Sequence, residues 1–168
     1  MESTDVLVIG SGIAGLCAAI EAARTGATVT VASAGKTMSG SSFFPGTWGL
    51  GLIGPVNEDD EQDLIDTILA VGGGVADPEL VQAFVHGIPQ AIDWLEQDLG
   101  VELQRPQSAK SAQQKQFIPC FDHKTRMWRG LTRKPLEDAL TTWIESLGIR
   151  LLPRHELIDL VEDTNGRI

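Results

Sequence analysis

The sequence is poor in the residues that mark several large functional classes. It has two cysteines, Cys17 and Cys120, and three scattered histidines, His86, His123 and His155. None stands at metal-ligand spacing, so no metal site is expected. Basic residues are few: 13 Lys and Arg against 23 Asp and Glu give a net charge of −10. That balance argues against a nucleic-acid partner, which needs clustered cations. Apolar runs fall far short of the ~20 residues of a membrane helix. Met1-Glu-Ser-Thr-Asp5 is polar and acidic, not the cationic lead of a signal peptide. No membrane span and a cytoplasmic location are the expectations. Internal repeats and low-complexity linkers are also missing. What is present is a chain of 168 residues, 42% apolar, suited to one soluble globular domain with a real core.

The organising stretch is Asp5-Val-Leu-Val-Ile-Gly-Ser-Gly-Ile-Ala-Gly-Leu-Cys17. Asp5 to Ile9 reads as a short, fully buried strand. Gly10, Gly12 and Gly15 follow as G-x-G-x-x-G, and an Ala-rich helix runs to Gly26. The first glycine allows the tight turn and the second a close approach of pyrophosphate. The third allows close packing of helix on sheet. The free N–H groups and positive dipole end of the helix suit phosphate. A second strand, Thr28 to Ala32, completes the βαβ context that gives the motif its weight. Dinucleotide units usually end this strand in Asp or Glu for the ribose hydroxyls. Here Ser33 follows, which disfavours freely exchanging NAD and is compatible with a tightly held FAD.

Residues 37–57 read as a long Gly/Ser/Phe loop, too apolar in Phe43, Phe44, Trp48, Leu50, Leu52 and Ile53 to be disordered. Its glycines would let main chain lie against a planar ligand. A hydrophobic loop packed only on itself is the alternative. A helix is predicted from Asp60 to Val71, ended by Gly72-Gly-Gly74. Asp77 with Pro78 opens a second through Leu80, Val81, Phe84 and Val85. Gly87 and Pro89 are expected to break it and start another, with Ile92, Trp94, Leu95 and Leu99 buried. Val101 to Leu103 and Phe117 to Phe121 read as short strands. Arg126, Arg129, Arg133 and Lys134 read as a solvated face, with steering of an anionic substrate as the other option. Thr132 and Pro135 open a helix to Gly148. Strands are expected at Ile149 to Leu152 and Glu156 to Asp163, with Asn165-Gly166 as a hairpin turn. The second arm of that hairpin is only Arg167 and Ile168, so the domain is expected to be truncated.

In this order the segments resemble the FAD-binding region of the L-aspartate oxidase and fumarate reductase/succinate dehydrogenase flavoprotein family. The resemblance rests on Val6 to Leu16, Ser39-Gly-Ser-Ser-Phe43, Asp77-Pro-Glu-Leu80, Ala91-Ile-Asp-Trp-Leu95, Leu99-Gly-Val101 and Leu157-Ile-Asp-Leu160. It covers essentially the whole chain. It implies an α/β, Rossmann-like FAD-binding domain: the parallel sheet of a G-x-G-x-x-G βαβ unit plus a helical insertion. Residues 1–168 would be its N-terminal part, with capping and C-terminal parts absent.

By the same resemblance, cofactor contacts fall on Gly10, Ser11, Gly12, Ile13, Ala14 and Gly15, and on Ser33, Ala34 and Lys36. Further contacts fall on Ser41, Ser42, Gly49, Leu50 and Gly51, with adenine near Leu157. Members that hold FAD covalently carry His where this chain has Ser42, so attachment should be non-covalent. The implied chemistry is hydride transfer between a dicarboxylate and FAD, with an Arg moving the proton. The residues that perform it lie in a capping domain beyond Ile168, so no catalytic residue is assigned to His123, Arg129 or any other position. Two departures touch the substrate. Pro45-Gly-Thr-Trp-Gly49 replaces the family's Ala-Gln-Gly-Gly, with a Trp48 that resembles the wider family including 3-ketosteroid dehydrogenases. Arg126-Met-Trp-Arg129 replaces a His-containing basic stretch. The alternatives are an FAD-dependent dehydrogenase of such a substrate, a non-catalytic nucleotide-binding module, or an NAD-linked dehydrogenase. The sequence does not specify the oligomeric state.

Overall fold

Strand β1 (Val6–Ile9) feeds helix α1 (Ile13–Arg24), which returns the chain to strand β2 (Val29–Ser33), parallel to β1. The computed structural model describes residues 3–44, 50–106, 126–162 and 164. It divides into two units, Met1–Trp48 with Glu137–Ile168, and Gly49–Leu136.

In the first unit a three-stranded parallel sheet has the order β1-β2-β5, where β5 is Arg150–Pro153. Parallel neighbours need crossover connections, and α1 supplies the first. The Asp5 carboxylate ties the β1 and β2 starts together. It accepts from the Thr28 N–H at 2.7 Å and the Thr28 hydroxyl at 2.6 Å. Those bonds hold its pKa below the ordinary carboxylate value. Leu16, Ala19 and Ile20 on α1 and every residue of β2 are buried. Helix α4 (Arg133–Ser146) enters this unit with Leu140 and Ile144 buried. The Arg24 guanidinium sits 5.5 Å above the Trp143 ring. β1 is not the fully buried strand expected from its composition. Leu7 is 42% and Ile9 51% exposed, because β1 is the edge of the described sheet and these two residues point away from α1.

Cys17 lies on α1, half-buried and free. Burial, with Glu21 four residues along, pushes its thiol from the ordinary 9.0 up to about 11. The raised value favours the folded state below pH 9.0, and that contribution is lost as pH rises towards 11. With Cys120 replaced by Ser, alkylation of Cys17 by iodoacetamide at pH 8 should be much slower in the folded protein than in urea. Equal rates would show that the thiol is not shielded.

The second unit begins with strand β3 (Leu50–Gly54), so part of the expected loop is a strand. Helix α2 (Glu58–Val71) starts two residues earlier than predicted, with the Asn57 side chain accepting from Asp60 N–H at 2.9 Å. Helix α3 (Pro78–Asp93) is capped by Asp77 as the sequence indicates, but it does not break at Gly87 or Pro89. Val81, Val85, Ile88 and Ile92 form one buried stripe, and burying it outweighs the backbone bond that Pro89 cannot make. Leu80 and Phe84, on the other side of the helix, are 69% and 60% exposed. The helix ends in a π turn, Trp94–Asp98, closed by Leu99 N–H on Trp94 C=O at 2.9 Å. Gly100 at φ 70° then stops it.

Val101 and Leu103 are buried, but the segment forms no strand; pairing begins at Gln104, which bridges Gly130. Strand β4 (Met127–Leu131) pairs antiparallel with β3. Arg126 overturns the solvated-face reading. Its side chain is 0% exposed, inserted between the Asp60 and Asp63 carboxylates of α2. The expected strand at Phe117 to Phe121 and the Asn165-Gly166 turn lie outside the described residues. Residues 156–162 form no strand and are exposed, because nothing among the described residues pairs with them.

Candidate functional site

Gly10 leaves β1 at φ 104°, a conformation that favours glycine, and its N–H bonds Ala32 C=O at 2.8 Å. Gly15 has no room for a side chain. A Cβ there would lie 2.0 Å from the Gly10 carbonyl oxygen and 3.4 Å from Val8 Cγ1. This glycine lets the first turn of α1 lie directly on β1. Gly12 caps α1 with no side-chain hydrogen bond, and no acidic residue lies in the first turn. The start of α1 thus carries neither a capping side chain nor an acidic residue of its own, which suits an anion there. Ile13 and Ala14 are the first two helical residues.

A Cβ on Gly12 would point at the Ser39 carbonyl oxygen, 3.5 Å away. The space kept clear by Gly12 on that side is thus taken by the Ser39–Gly40 main chain, not by open solvent. Gly40, at φ 104°, leads into a 3-10 turn, Ser41–Phe43. Buried Phe43 anchors the turn and Ser41 stays exposed. Ser11 is buried, and its hydroxyl donates to Lys36 C=O at 3.1 Å. That bond draws the segment after β2 to the glycine turn. From the other side, His155 N–H bonds Ser33 C=O and Arg154 N–H bonds Gly35 C=O, each at 2.9 Å. Ser33 is buried, whereas Ala34 and Lys36 are exposed. The first unit therefore brings together the glycine turn, residues 33–36 and the Ser39–Ser42 segment. Leu157 lies beyond β5 and is 41% exposed.

Leu50 and Gly51 open β3 in the second unit, and Gly49 lies outside the described residues. Two features here escaped the sequence reading. Trp128 lies across Gly51 and Gly130, for which the Trp-x-Gly spacing was a usable signal. An apolar cavity of about 550 Å³ is lined by Leu52, Leu64, Ile68, Phe84, Ile88 and Ile92, with Thr67 as a polar neighbour. Among the described residues no cationic side chain lines it, so none there would recognise a carboxylate.

The first-unit geometry fits the pyrophosphate of a dinucleotide: a glycine turn, a helix start with no side-chain cap and no acidic residue in its first turn. Comparison with known proteins agrees. A family described as FAD binding domain matches residues 5–168. L-aspartate oxidase from Halobacterium salinarum is 37% identical over 164 residues, 96% of this chain and 29% of that protein. Vinyl phenol reductase from Lactiplantibacillus plantarum is 27% identical over 99% of this chain and 33% of that protein. The chain thus spans about a third of the length of these relatives. Among solved structures, a 3-ketosteroid-Δ4-(5α)-dehydrogenase from Rhodococcus jostii RHA1 superposes with a TM-score of 0.71 at 24% identity. It covers 98% of this chain and 40% of that one, and at this identity it shows a shared fold. Among the described residues, no helix is long and apolar enough to cross a membrane. The glycine turn, the parallel sheet around it and the match over residues 5–168 agree: the chain belongs to the FAD-binding domain family.

Proposed function

We propose that this chain is the N-terminal, FAD-binding part of a flavin-dependent oxidoreductase that moves a hydride between a dicarboxylate and non-covalently held FAD. The observation that carries the cofactor is the glycine turn at an uncapped helix start. The dicarboxylate is supported by similarity to L-aspartate oxidase. When bound, FAD would supply a two-electron acceptor and donor. The chain's own residues bind and orient it. Gly10, Ser11, Gly12, Ile13, Ala14 and Gly15 would receive the phosphates, Ser33, Ala34 and Lys36 the ribose region, and Leu157 the adenine. Ser41 and Ser42 would add pyrophosphate contacts, with the Gly49, Leu50 and Gly51 main chain serving the ring. A cytoplasmic location belongs to the same reading.

A second reading, an apolar ketone-bearing substrate, is favoured by the carboxylate-blind cavity in the second unit. Mass spectrometry of the ligand released on denaturing the full-length protein should identify FAD, and turnover should be seen with L-aspartate or succinate. NAD or no nucleotide in the released fraction would overturn the cofactor. Turnover of a 3-ketosteroid but neither dicarboxylate would overturn the substrate.

A further inference from the structure

Gly130 on β4 exchanges both backbone hydrogen bonds with Gln104, at 2.7 and 2.9 Å. In antiparallel pairing a residue's N–H and C=O point to the same side, so those of Gly130 face away from β3. Its cross-strand partner is Gly51, which makes this a non-hydrogen-bonded pair. The Gly51 N–H and C=O are therefore directed to the outer edge of β3, and Gly51 itself is exposed. On one sheet face at this pair lies the Trp128 indole. A Cβ on Gly51 would stand 2.8 Å from Trp128 Nε1, and one on Gly130 2.3 Å from Cη2. Neither position admits any side chain. Glycine in a strand interior weakens the strand, yet here two face each other beneath one ring. The opposite sheet face belongs to α3, since a Cβ on Gly54 would meet Ile88 Cγ2 at 2.6 Å. Arg129 alternates to that opposite face, so no cation of β4 accompanies the indole.

We infer that Trp128 is a flavin-contacting residue, an aromatic wall beside the outward-directed Gly51 peptide edge against which the flavin ring is fixed. The inference rests on the reading that the chain binds FAD with its ring at Gly51. A peptide edge without a side chain, flanked by a flat indole, suits a planar heteroaromatic ring with hydrogen-bonding groups on its rim. It does not suit an aliphatic dicarboxylate, which would need a cation. The indole also leaves an optical signature. It passes one electron to the light-excited ring and takes it back, so the flavin's emission is quenched and nothing is consumed.

The test compares the full-length protein with Trp128→Phe and Trp128→Ala, by FAD titration and by emission of the bound flavin. Trp128→Phe should keep FAD and emit several-fold more brightly, because a phenyl ring packs similarly but does not give up an electron. Trp128→Ala should bind FAD about tenfold more weakly, equivalent to ~1.4 kcal/mol, within the range of aromatic stacking on a planar base. If Trp128→Ala fails to fold, the Trp128→Phe emission decides. Unchanged emission from a yellow Trp128→Phe protein overturns the assignment of Trp128 alone. A colourless parent protein overturns the FAD reading and this inference with it.

Discussion

Gly15→Ala is expected to unfold this protein or leave it severely weakened, while Gly12→Ala folds normally. The two glycines belong to one motif, but the structure gives them different roles. A methyl group on Gly15 would lie 2.0 Å from the Gly10 carbonyl oxygen and 3.1 Å from its carbon. Both are backbone atoms, and the Gly10 N–H is itself fixed to Ala32 C=O at 2.8 Å. Relief requires α1 to move off β1, uncovering Leu16 and Ile20, so the loss should be about 3 kcal/mol or more. Gly12 sits at φ −72°, open to any L-residue, and a methyl there makes an ordinary 3.5 Å contact with the Ser39 carbonyl oxygen. Gly12→Val goes further. Its branches press on the Ser39–Gly40 main chain and displace the turn bearing Ser41 and Ser42, so flavin should be lost while the fold survives. Thermal melts and flavin absorbance of full-length variants provide the check. A Gly15→Ala midpoint within about 4 °C of the parent, roughly 1 kcal/mol, would contradict the steric account. So would a Gly12→Val protein that keeps its flavin.

The βαβ unit was legible because its geometry is local. Gly10, Gly12 and Gly15 each answer a constraint set by atoms a few residues away, so spacing alone reports them. The Asp77 cap and the stop at Gly100 were legible for the same reason. α3 was misread at Gly87 and Pro89 because the breaking rules are local, whereas the stripe from Val81 to Ile92 is held by tertiary burial. In the site, the glycine turn could be read from the sequence, but the occupant of the space beside Gly12 could not. Ser39 belongs to a segment read as a loop against a planar ligand, and nothing local in it fixes which backbone atom faces Gly12. Residues 156–162 show the reverse failure: strand-like composition does not make a strand without a partner.

Arg126 was the least legible residue, because arginine in a basic cluster is read as solvated and its partners lie 66 and 63 positions away. Arg126→Met is expected to cost about 3–5 kcal/mol, the usual penalty for breaking a buried ion pair from one side. The guanidinium is fully buried and forks between two carboxylates of α2. One nitrogen bonds the Asp60 carboxylate and, at 3.2 Å, the Asp60 C=O; another bonds Asp63 at 2.9 Å. Asp60 is also committed to the start of α2, accepting from Val56 N–H at 2.8 Å. Removing the arginine therefore strands a 15%-exposed carboxylate inside the cap of a helix. Arg126→Lys should recover little of the loss, since one ammonium cannot reproduce the fork. Asp63→Ala should cost only about 1 kcal/mol, because Asp63 is 40% exposed and water takes over most of its solvation. The ordering Arg126→Met worse than Asp63→Ala should persist at high salt, since a buried pair is poorly screened. Urea unfolding of the three variants measures it. An Arg126→Met protein within 1 kcal/mol of the parent, or an Asp63→Ala loss as large as that of Arg126→Met, would show that this arginine is not what holds β4 to α2.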